Sequence, residues 1–144
     1  GRNIIAEDAK DHILGYTIGN DVTARDLQRA DRLWTRAKGF DTFAPFGPWI
    51  DTEFDPSDAV LTCRVNGQMR QMASTRDMVF SVGTIIAFVS SVMTLEPGDL
   101  IFTGTPEGVS NVLPGDEVVT EIEGIGRLVN TIVGDEAFGR SVQR

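Results

Sequence analysis

Alternation of apolar and polar residues predicts that much of this chain is β-strand. Residues 60–74, VLTCRVNGQMRQMAS, alternate with a period of two on both sides of Asn66-Gly67. Both residues of an Asn-Gly pair tolerate positive φ, so this dipeptide between two alternating segments is the strongest short signal for a hairpin. We therefore predict two antiparallel strands that turn at Asn66-Gly67.

Two Pro-Gly-Asp turns divide the C-terminal part of the chain into further strands. The first, at 97–99, leads into the short apolar segment 99–103 (DLIFT). The second, at 114–116, precedes VVTEIEG, which a glycine turn separates from RLVNTIV. Because Pro and Gly end regular elements, we predict one strand in 99–103 and two strands after the second turn. The tail GDEAFGRSVQR is predicted to be frayed.

One segment has the apolar spacing of a helix. In residues 79–93, VFSVGTIIAFVSSVM, apolar residues recur at helical spacing. They are Val82, Ile85, Ile86, Val89, Val92 and Met93. Ser74 and Asp77 precede the segment with the spacing of a capping box in which Asp replaces Glu. Its β-branched residues and Gly83 lower the helix propensity, so we expect burial to stabilise this helix.

Near the N-terminus the pattern predicts a strand that ends at a carboxylate. Residues Ile13 to Gly19 are largely apolar, the pattern breaks at Asn20 and Asp21, and a helix-like segment follows with Thr23 as a candidate N-cap. A strand end followed by a turn and a helix start holds a polar group rigidly. The alternative is that Asp21 only makes local hydrogen bonds in an Asx turn. This stretch alone leaves both interpretations open.

Residues 29–50 have a less regular pattern. RADRLWTRAKGF (29–40) is interpreted as either a helix end or an ordered loop. DTFAPFGPWI (41–50) contains two prolines and a glycine, which disfavour a helix or a central strand. Since its Phe, Trp and Pro residues are too apolar for a free linker, we predict an ordered loop that lines a pocket or an interface.

These elements together predict an α+β domain that is mainly β, without a βαβ pattern. The 144 residues, of which 41% are hydrophobic and 24% charged, suit a single globular domain spanning 1–144. The formal net charge of -8 disfavours nucleic acid and anionic membranes as partners. A metal or a local Arg/Lys cluster can still reverse the field inside a pocket.

The single cysteine and the hydropathy pattern indicate where the protein works. Cys63 lies in an alternating segment, so we predict a core residue rather than a nucleophile. No apolar segment reaches membrane-spanning length, and no signal-peptide pattern opens the chain. We expect a reducing, cytoplasmic setting.

Two common catalytic arrangements are disfavoured. His12, the only histidine, lies in a polar lead-in segment with no nucleophile motif nearby, which argues against a serine-type triad. The loop TGTP (103–106) lacks the lysine of a phosphate-binding P-loop. Its backbone amides at Gly104 and Thr105 can still cradle a carboxylate.

The remaining candidates are hard oxygen ligands and anion-binding groups. Apart from hydroxyl groups, they are Asp21, Arg25, Gln28 and Lys38. Carboxylate oxygens suit Mg²⁺ or Mn²⁺, and the cationic and amide groups suit a carboxylate-bearing substrate.

Five motifs in order carry a family resemblance: GYTIGNDVTARDLQ, AKGFDTFAPFGPW, VNGQMRQ, LEPGDLIFTGTPEGV and LPGDEV. Together they resemble the fumarylacetoacetate hydrolase family, and within it the bacterial 2-hydroxyhepta-2,4-diene-1,7-dioate isomerases and acylpyruvate hydrolases. The resemblance covers about Ile13 to Val133. It implies a mixed β-sandwich roll, a homodimer, and a divalent metal, usually Mg²⁺, that chelates the oxygens of a keto- or enol-carboxylate substrate.

The resemblance also implies roles for individual residues. Asp21 matches the metal-binding aspartate and Lys38 the active-site lysine. Substrate-facing roles fall to Arg25, Gln28, Gly104 and Thr105, of which the first two are also catalytic candidates. A metal would polarise the 2-oxo group and stabilise the enolate of isomerisation, C–C hydrolysis or decarboxylation, with Lys38 adding positive charge. The alternatives are a solvated surface Lys38 and an Arg25 paired with a neighbouring aspartate, Asp26 or Asp31.

The family pattern further includes two metal carboxylates in a Glu-x-Glu arrangement and a His/Glu pair on a lid, all upstream of the position matched by Gly1. We therefore expect this chain to be the C-terminal part of the catalytic domain, and to be catalytically incomplete by itself. An alternative of another class is a non-catalytic binding or assembly module. Within the enzymes, oxaloacetate decarboxylase remains open.

Overall fold

The computed structural model describes residues 1–134, which form a small α+β domain built mainly from antiparallel strands. The strands are β1 (Tyr16–Gly19), β2 (Phe46–Asp51), β3 (Val60–Val65), β4 (Gln68–Ser74), β5 (Glu117–Ile122) and β6 (Gly126–Thr131). The α-helices are α1 (Arg25–Ala30), α2 (Thr35–Lys38) and α3 (Val82–Val92), and 3₁₀ turns span Ala9–His12 and Thr75–Asp77. The predicted α+β class, mainly β, is confirmed. The tail that is predicted to be frayed lies, from residue 135 onward, outside the described residues.

The strands form a two-stranded sheet, β1-β2, and a four-stranded sheet in the order β4-β3-β5-β6. The predicted hairpin joins β3 to β4, and its turn residues Asn66 and Gly67 have φ of 50° and 78°. An irregularity between Cys63 and Arg64 shifts the register, so that Cys63 pairs with Gln71. The two strands predicted after the second Pro-Gly-Asp turn are confirmed as β5 and β6.

The hairpin turn and the second Pro-Gly-Asp turn are linked through side chains. Asn66 Nδ2 donates to Asp116 Oδ1 at 2.7 Å, and Asn66 Oδ1 accepts from the Glu117 amide at 2.9 Å. The Leu113 amide donates to Asp116 Oδ2 at 2.8 Å. The bonds from the Leu113 amide and, second, from the Asn66 side chain hold the pKa of Asp116 below its usual range. The link fixes one end of the four-stranded sheet.

The interpretation of 41–50 as a loop is wrong in its second half. Residues 46–51 form β2, which pairs antiparallel with β1 and places Phe46 opposite Gly19. Pro48, which follows a cis peptide bond, lies within this strand. A two-stranded sheet has only edge strands, and an edge strand tolerates the missing N–H of proline. The proline therefore excluded a central strand but not this one.

Two caps differ from the sequence predictions. Thr23 does not cap α1, whose N-cap is Ala24; the Thr23 hydroxyl instead donates to the Asp21 carbonyl at 3.2 Å. Ser74 caps only the short 3₁₀ turn, accepting from the Arg76 amide. The long helix α3 is confirmed, but its cap is Ser81, whose Oγ accepts from the Thr84 amide at 3.1 Å.

The strand predicted in 99–103 is wrong. Within residues 1–134 this segment pairs with no strand, and the four-stranded sheet ends at β4 on one side and β6 on the other. The preceding turn is closed by Asp99, whose amide donates to the Glu96 carbonyl at 3.1 Å and whose carboxylate accepts from the Glu96 amide. Apolar composition alone does not make a strand, because the segment must also lie alongside another strand and pair with it.

Three small clusters of buried residues form the core. One joins Ile18 of β1 to Ile125, in the turn before β6, and to Leu128 of β6. This cluster anchors the strand that leads to Asp21. A second contains Cys63, Val65 and Val118. Cys63 is a core residue as predicted, and burial raises the pKa of its thiol. Among residues 1–134, no helix combines the length and apolar character needed to cross a bilayer.

Candidate active site

Asp21 lies in a segment in which every second backbone amide donates a hydrogen bond to another part of the chain. The amides of Asn20, Val22 and Ala24 donate at 3.0 Å to the carbonyls of Pro45, Phe43 and Ala37, respectively. These bonds continue from the end of β1, where Gly19 pairs with Phe46. The backbone around Asp21 is thereby fixed against the segment that contains α2 and the loop after it, although it is not a regular strand.

Lys38 is the last residue of α2, and its Nζ forms an ion pair with Asp21 Oδ2. The Lys38 amide closes the helix by donating to the Trp34 carbonyl at 3.0 Å. The two side chains remain partly accessible, 28% exposed for Lys38 and 43% for Asp21. The structure therefore brings the predicted metal ligand and the predicted active-site lysine into direct contact, where a small molecule can reach both.

Arg25 and Gln28 are neighbours on one face of α1. Arg25 Nη1 donates to Gln28 Oε1, at the i, i+3 spacing that places side chains side by side on a helix. A guanidinium can only donate, so the contacting atom of Gln28 is its oxygen. The amide NH₂ of Gln28 then keeps its donors for another partner. The predicted alternative, Arg25 paired with Asp26 or Asp31, is not formed among the described residues.

The partner of Asp31 is Arg36, and this pair closes the connection between α1 and α2. Arg36 Nε and Nη2 donate to the two oxygens of Asp31 at 2.9 and 2.8 Å. The hydrogen bond from Arg36 holds the pKa of Asp31 below its usual range. Bidentate geometry orients both groups, even though such surface pairs contribute little to stability. The sequence predicts a helix end or an ordered loop for residues 29–40, and the structure has there the end of α1 and a separate short helix, α2.

Thr105 and Gly104 belong to a loop that packs on β4. Gln71 Nε2 donates to Thr105 Oγ1 at 2.9 Å and to the Pro106 carbonyl at 2.7 Å. Gly104 has φ of 124°, which favours glycine. A Cβ on Gly108 would lie 2.0 Å from the carbonyl oxygen of Arg70, so only glycine permits this close approach to the strand.

Sequence reasoning did not single out Gln71, although it lies within the VNGQMRQ motif. An unbulged two-residue hairpin would place Arg70, not Gln71, opposite the buried Cys63. The irregularity between Cys63 and Arg64 changes that pairing. A half-buried glutamine on a strand is the feature that would have identified Gln71 as a candidate. Its burial depends on the bulge, which the sequence does not indicate.

Two parts of the candidate site meet through Gly19 and Phe102. A Cβ on Gly19 would lie 2.5 Å from Cε1 of the Phe102 ring, so the ring packs directly on the end of β1. Gly19 is two residues before Asp21, and Phe102 is two residues before Gly104. Within residues 1–134, no side-chain hydrogen bond joins the Asp21–Lys38 pair to Thr105. The segment that leads into the Thr105 loop therefore contacts the end of β1 through the ring of Phe102, and not through a hydrogen bond.

The described residues supply one carboxylate to this site. Asp21 is a hard oxygen donor of the kind that Mg²⁺ and Mn²⁺ prefer. In residues 1–134 there is no group of three or more His, Cys, Asp or Glu side chains placed to hold a metal ion. Asp21 therefore fits a divalent metal in type, but a complete ligand set is not formed by the described part of the chain.

Comparison with known proteins places the chain in one family. The model of "Fumarylacetoacetate (FAA) hydrolase C-terminal" matches residues 1–133. A 2-hydroxyhepta-2,4-diene-1,7-dioate isomerase from Mycobacterium marinum is 56% identical with a TM-score of 0.90, over 92% of this chain and 52% of that one. The 4-hydroxyphenylacetate degradation bifunctional isomerase/decarboxylase of Escherichia coli is 48% identical, over 94% of this chain and 32% of that protein.

A relative with a bound metal has the same fold. Maleylpyruvate hydrolase from Sphingobium sp. SYK-6, in complex with manganese(II) and pyruvate, is 40% identical with a TM-score of 0.83, over 92% of this chain and 48% of that one. The chain spans about half the length of the first curated relatives that it matches. Since the family model matches nearly all of the described residues, the chain belongs to the fumarylacetoacetate hydrolase family, of which it carries the C-terminal domain.

Proposed function

We propose that this chain supplies catalytic and binding residues to a metal-dependent enzyme that acts on small 2-oxo or 2-enol carboxylates. The reaction is isomerisation or hydrolysis of a C–C bond, in the catabolism of aromatic compounds or acylpyruvates. The observation that carries the proposal is the contact of Asp21 with Lys38 at the end of β1. It occurs in a chain that is 56% identical to a 2-hydroxyhepta-2,4-diene-1,7-dioate isomerase.

Asp21 would hold the metal, Mg²⁺ or Mn²⁺, which when bound polarises a 2-oxo group as a Lewis acid. Support for a metal comes from the manganese(II) and pyruvate in the related maleylpyruvate hydrolase. Since Asp21 is one carboxylate and residues 1–134 form no three-ligand group, further carboxylates would come from outside these residues. From the family resemblance we also propose that the chain, 1–144, is one part of the catalytic domain and is inactive alone.

Lys38 provides positive charge where negative charge develops. Its ammonium group contacts the carboxylate of Asp21, so an oxygen held near Asp21 also lies near a fixed cation. Stabilising an enolate oxygen as it forms lowers the barrier more than binding the ground state does. Lys38 is therefore proposed as a catalytic residue for every reaction that passes through an enolate.

The other proposed site residues present hydrogen-bond donors. Arg25 can only donate, and Gln28 spends its carbonyl oxygen on Arg25, which leaves its NH₂ group for a substrate oxygen. Thr105 and the amide of Gly104 would bind the substrate carboxylate. A set of donors around one site suits an oxygen-rich anion, despite a formal net charge of -8 for the whole chain.

Two finer features of the proposal come from the family resemblance: a mixed β-sandwich roll as the complete fold and a homodimer as the assembled state. From the net charge and the single cysteine we propose a cytoplasmic location, without nucleic acid or membrane as partners. Sedimentation of the purified protein tests the dimer. A purely monomeric state at micromolar concentration would contradict it.

The function is tested by assay of the full protein with acylpyruvates and with 2-hydroxyhepta-2,4-diene-1,7-dioate, following the absorbance of the enol. Turnover should require Mg²⁺ or Mn²⁺, stop when the metal is chelated, and return when it is restored. Absence of turnover on every 2-oxo or 2-enol carboxylate in the presence of either metal would overturn the proposal.

Two alternatives are separated by the same assay. The first alternative is decarboxylation, because the Escherichia coli relative is named an isomerase/decarboxylase. Oxaloacetate decarboxylase activity would appear as metal-dependent release of pyruvate and CO₂ when oxaloacetate is the substrate. The single carboxylate of the described site is the observation that favours a binding or assembly module. Such a module would bind no metal with oxalate in calorimetry and would turn over none of these substrates.

A further inference from the structure

Gln71 is the residue outside the proposed site that makes the most specific contact with it. It lies on β4, half-buried, and its side chain reaches the loop that contains Thr105. One nitrogen, Nε2, contacts both Thr105 Oγ1 at 2.9 Å and the Pro106 carbonyl oxygen at 2.7 Å. A glutamine NH₂ group has two hydrogens, so these two contacts use both of its donors.

The second contact fixes which way the amide of Gln71 points. Amide oxygen and nitrogen are ordinarily hard to tell apart, and the surrounding hydrogen bonds must decide. The carbonyl oxygen of Pro106 can only accept, so the atom of Gln71 that faces it must be the NH₂ nitrogen. The same nitrogen contacts Thr105 Oγ1, and an amide NH₂ cannot accept. The hydroxyl oxygen of Thr105 is therefore the acceptor in that bond.

This arrangement determines what the hydroxyl of Thr105 can do. Because its oxygen accepts from Gln71, its hydrogen is directed to some other acceptor. Thr105 is exposed, so that acceptor can be a ligand. A carboxylate has only acceptor oxygens and needs such a donor. The open backbone at Gly104, where a Cβ would meet nothing within 4 Å, leaves room beside it.

We infer that Gln71 is a positioning residue, which holds Thr105 as a committed hydrogen-bond donor for the carboxylate of the substrate. The inference rests on the proposed function for the identity of the ligand. Gln71 acts through Thr105 and touches no substrate. The close packing of Gly108 on the Arg70 carbonyl holds the loop within reach of Gln71.

The test measures KM and kcat for an acylpyruvate, and separately the affinity for oxalate by calorimetry with Mg²⁺ present, on the full protein. In Gln71→Met both donors are lost, and the Thr105 hydroxyl is free to rotate. KM should rise about tenfold, the size expected for a weakened hydrogen bond to a charged group, with kcat nearly unchanged. Gln71→Glu should raise KM further, since a carboxylate would accept the hydrogen bond of the Thr105 hydroxyl and repel the carboxylate of the substrate. Gln68→Met, at an exposed position of the same strand, is the matched control.

A double-mutant cycle with Thr105→Val distinguishes positioning from a general structural role. If Gln71 acts through the Thr105 hydroxyl, Q71M should add almost nothing to KM once that hydroxyl is absent. Thr105→Ser, which keeps the hydroxyl, should restore the sensitivity to Q71M. Additive effects on KM, or a Q71M variant with wild-type KM and oxalate affinity, would overturn the inference. Gln71→Asn, which keeps the amide but cannot reach both acceptors, replaces Q71M if that variant fails to fold.

The outcomes also separate this inference from the proposed function. Turnover by the wild type with no effect of Q71M leaves the function standing and removes the role of Gln71. If oxalate binding depends on Gln71 but no substrate is turned over, the positioning role of Gln71 is supported and the proposed reactions are contradicted. Neither turnover nor binding of oxalate by the wild type overturns both.

Discussion

The four-stranded sheet and the segment from β1 to β2 are held together in different ways. In the sheet, β3 pairs along its length with both β4 and β5, and the buried Val65 and Val118 are cross-strand partners in the β3–β5 ladder. The segment with the candidate site has a four-residue β1 and a helix, α1, that buries none of its residues. Besides the fully buried Ile18 and Ala37, single backbone hydrogen bonds and ion pairs hold it in place.

This difference separates stability from chemistry. A region with continuous ladders and buried apolar contacts opens only at a high free-energy cost, whereas one held by isolated bonds opens more readily. Substitutions in the sheet should therefore change stability with little effect on the reaction. Substitutions at the ends of β1 and α2 should do the opposite.

The largest effect on activity is expected at Asp21. Asp21→Asn keeps the size of the side chain but removes its charge, so metal-dependent turnover of an acylpyruvate should fall below detection while the circular dichroism spectrum stays unchanged. Asp26→Asn, at an exposed position of α1, removes the same charge and should keep most of the activity. Activity of the Asp21 variant that matches the wild type across a Mg²⁺ titration would show that Asp21 makes only local bonds.

Lys38 is expected to have the next largest effect. Lys38→Met keeps much of the length of the side chain but removes its charge, and should lower kcat by about 10²- to 10³-fold, with a smaller change in KM. Lys10, the other lysine of the chain, is exposed and provides the matched control as Lys10→Met. A change confined to KM would instead indicate that Lys38 only binds substrate.

Val118 tests the other side of the comparison. It is 4% exposed in β5, and Val118→Ala removes two buried methyl groups, so the free energy of unfolding should fall by about 2 kcal/mol in urea titration. KM and kcat of the folded protein should stay within about twofold of wild type, since the residue belongs to the core of the four-stranded sheet and not to the proposed site. Loss of kcat at full folding would mean that the two regions are coupled.

The smallest effect is expected from Asp116, in the link that fixes the end of the sheet. Its folded pKa is depressed below the ordinary value of 3.8, so its contribution to stability is present above that pH and is lost as the pH falls through the folded pKa. Asp116→Asn should lower Tm at pH 7, and the difference from wild type should shrink as the pH falls below 3.8. The exposed Asp41→Asn is the control. A difference that persists unchanged at low pH would exclude the carboxylate as its source.

The sheet was predictable from sequence because its signals are local. Alternation and the Asn66-Gly67 turn predict β3 and β4, and the turn at 114–116 predicts β5 and β6. The segment 99–103 shows the limit of such signals. Its apolar residues fit a strand equally well, but whether a ladder forms depends on where the chain places the segment relative to the other strands, which is a property of the whole fold.

The candidate site was predictable in its residue types and not in its contacts. Asp21 and Lys38 came from matched motifs, but their ion pair depends on bonds between residues far apart in sequence. Gln71 was missed because a bulge sets its register. The proposed roles of Arg25, Gln28 and Thr105 remain predictions that the kinetic experiments above address.

The packing of Phe102 on Gly19 has a consequence for anyone who varies this protein by mutation and selection. Any side chain at position 19 would displace the aromatic ring, and the ring belongs to the segment that leads into the Thr105 loop. Libraries that randomise the two positions independently will consist mostly of incompatible pairs. Substrate preference can be explored efficiently only by treating positions 19 and 102 as one unit, with a smaller residue at 102 whenever 19 gains a side chain.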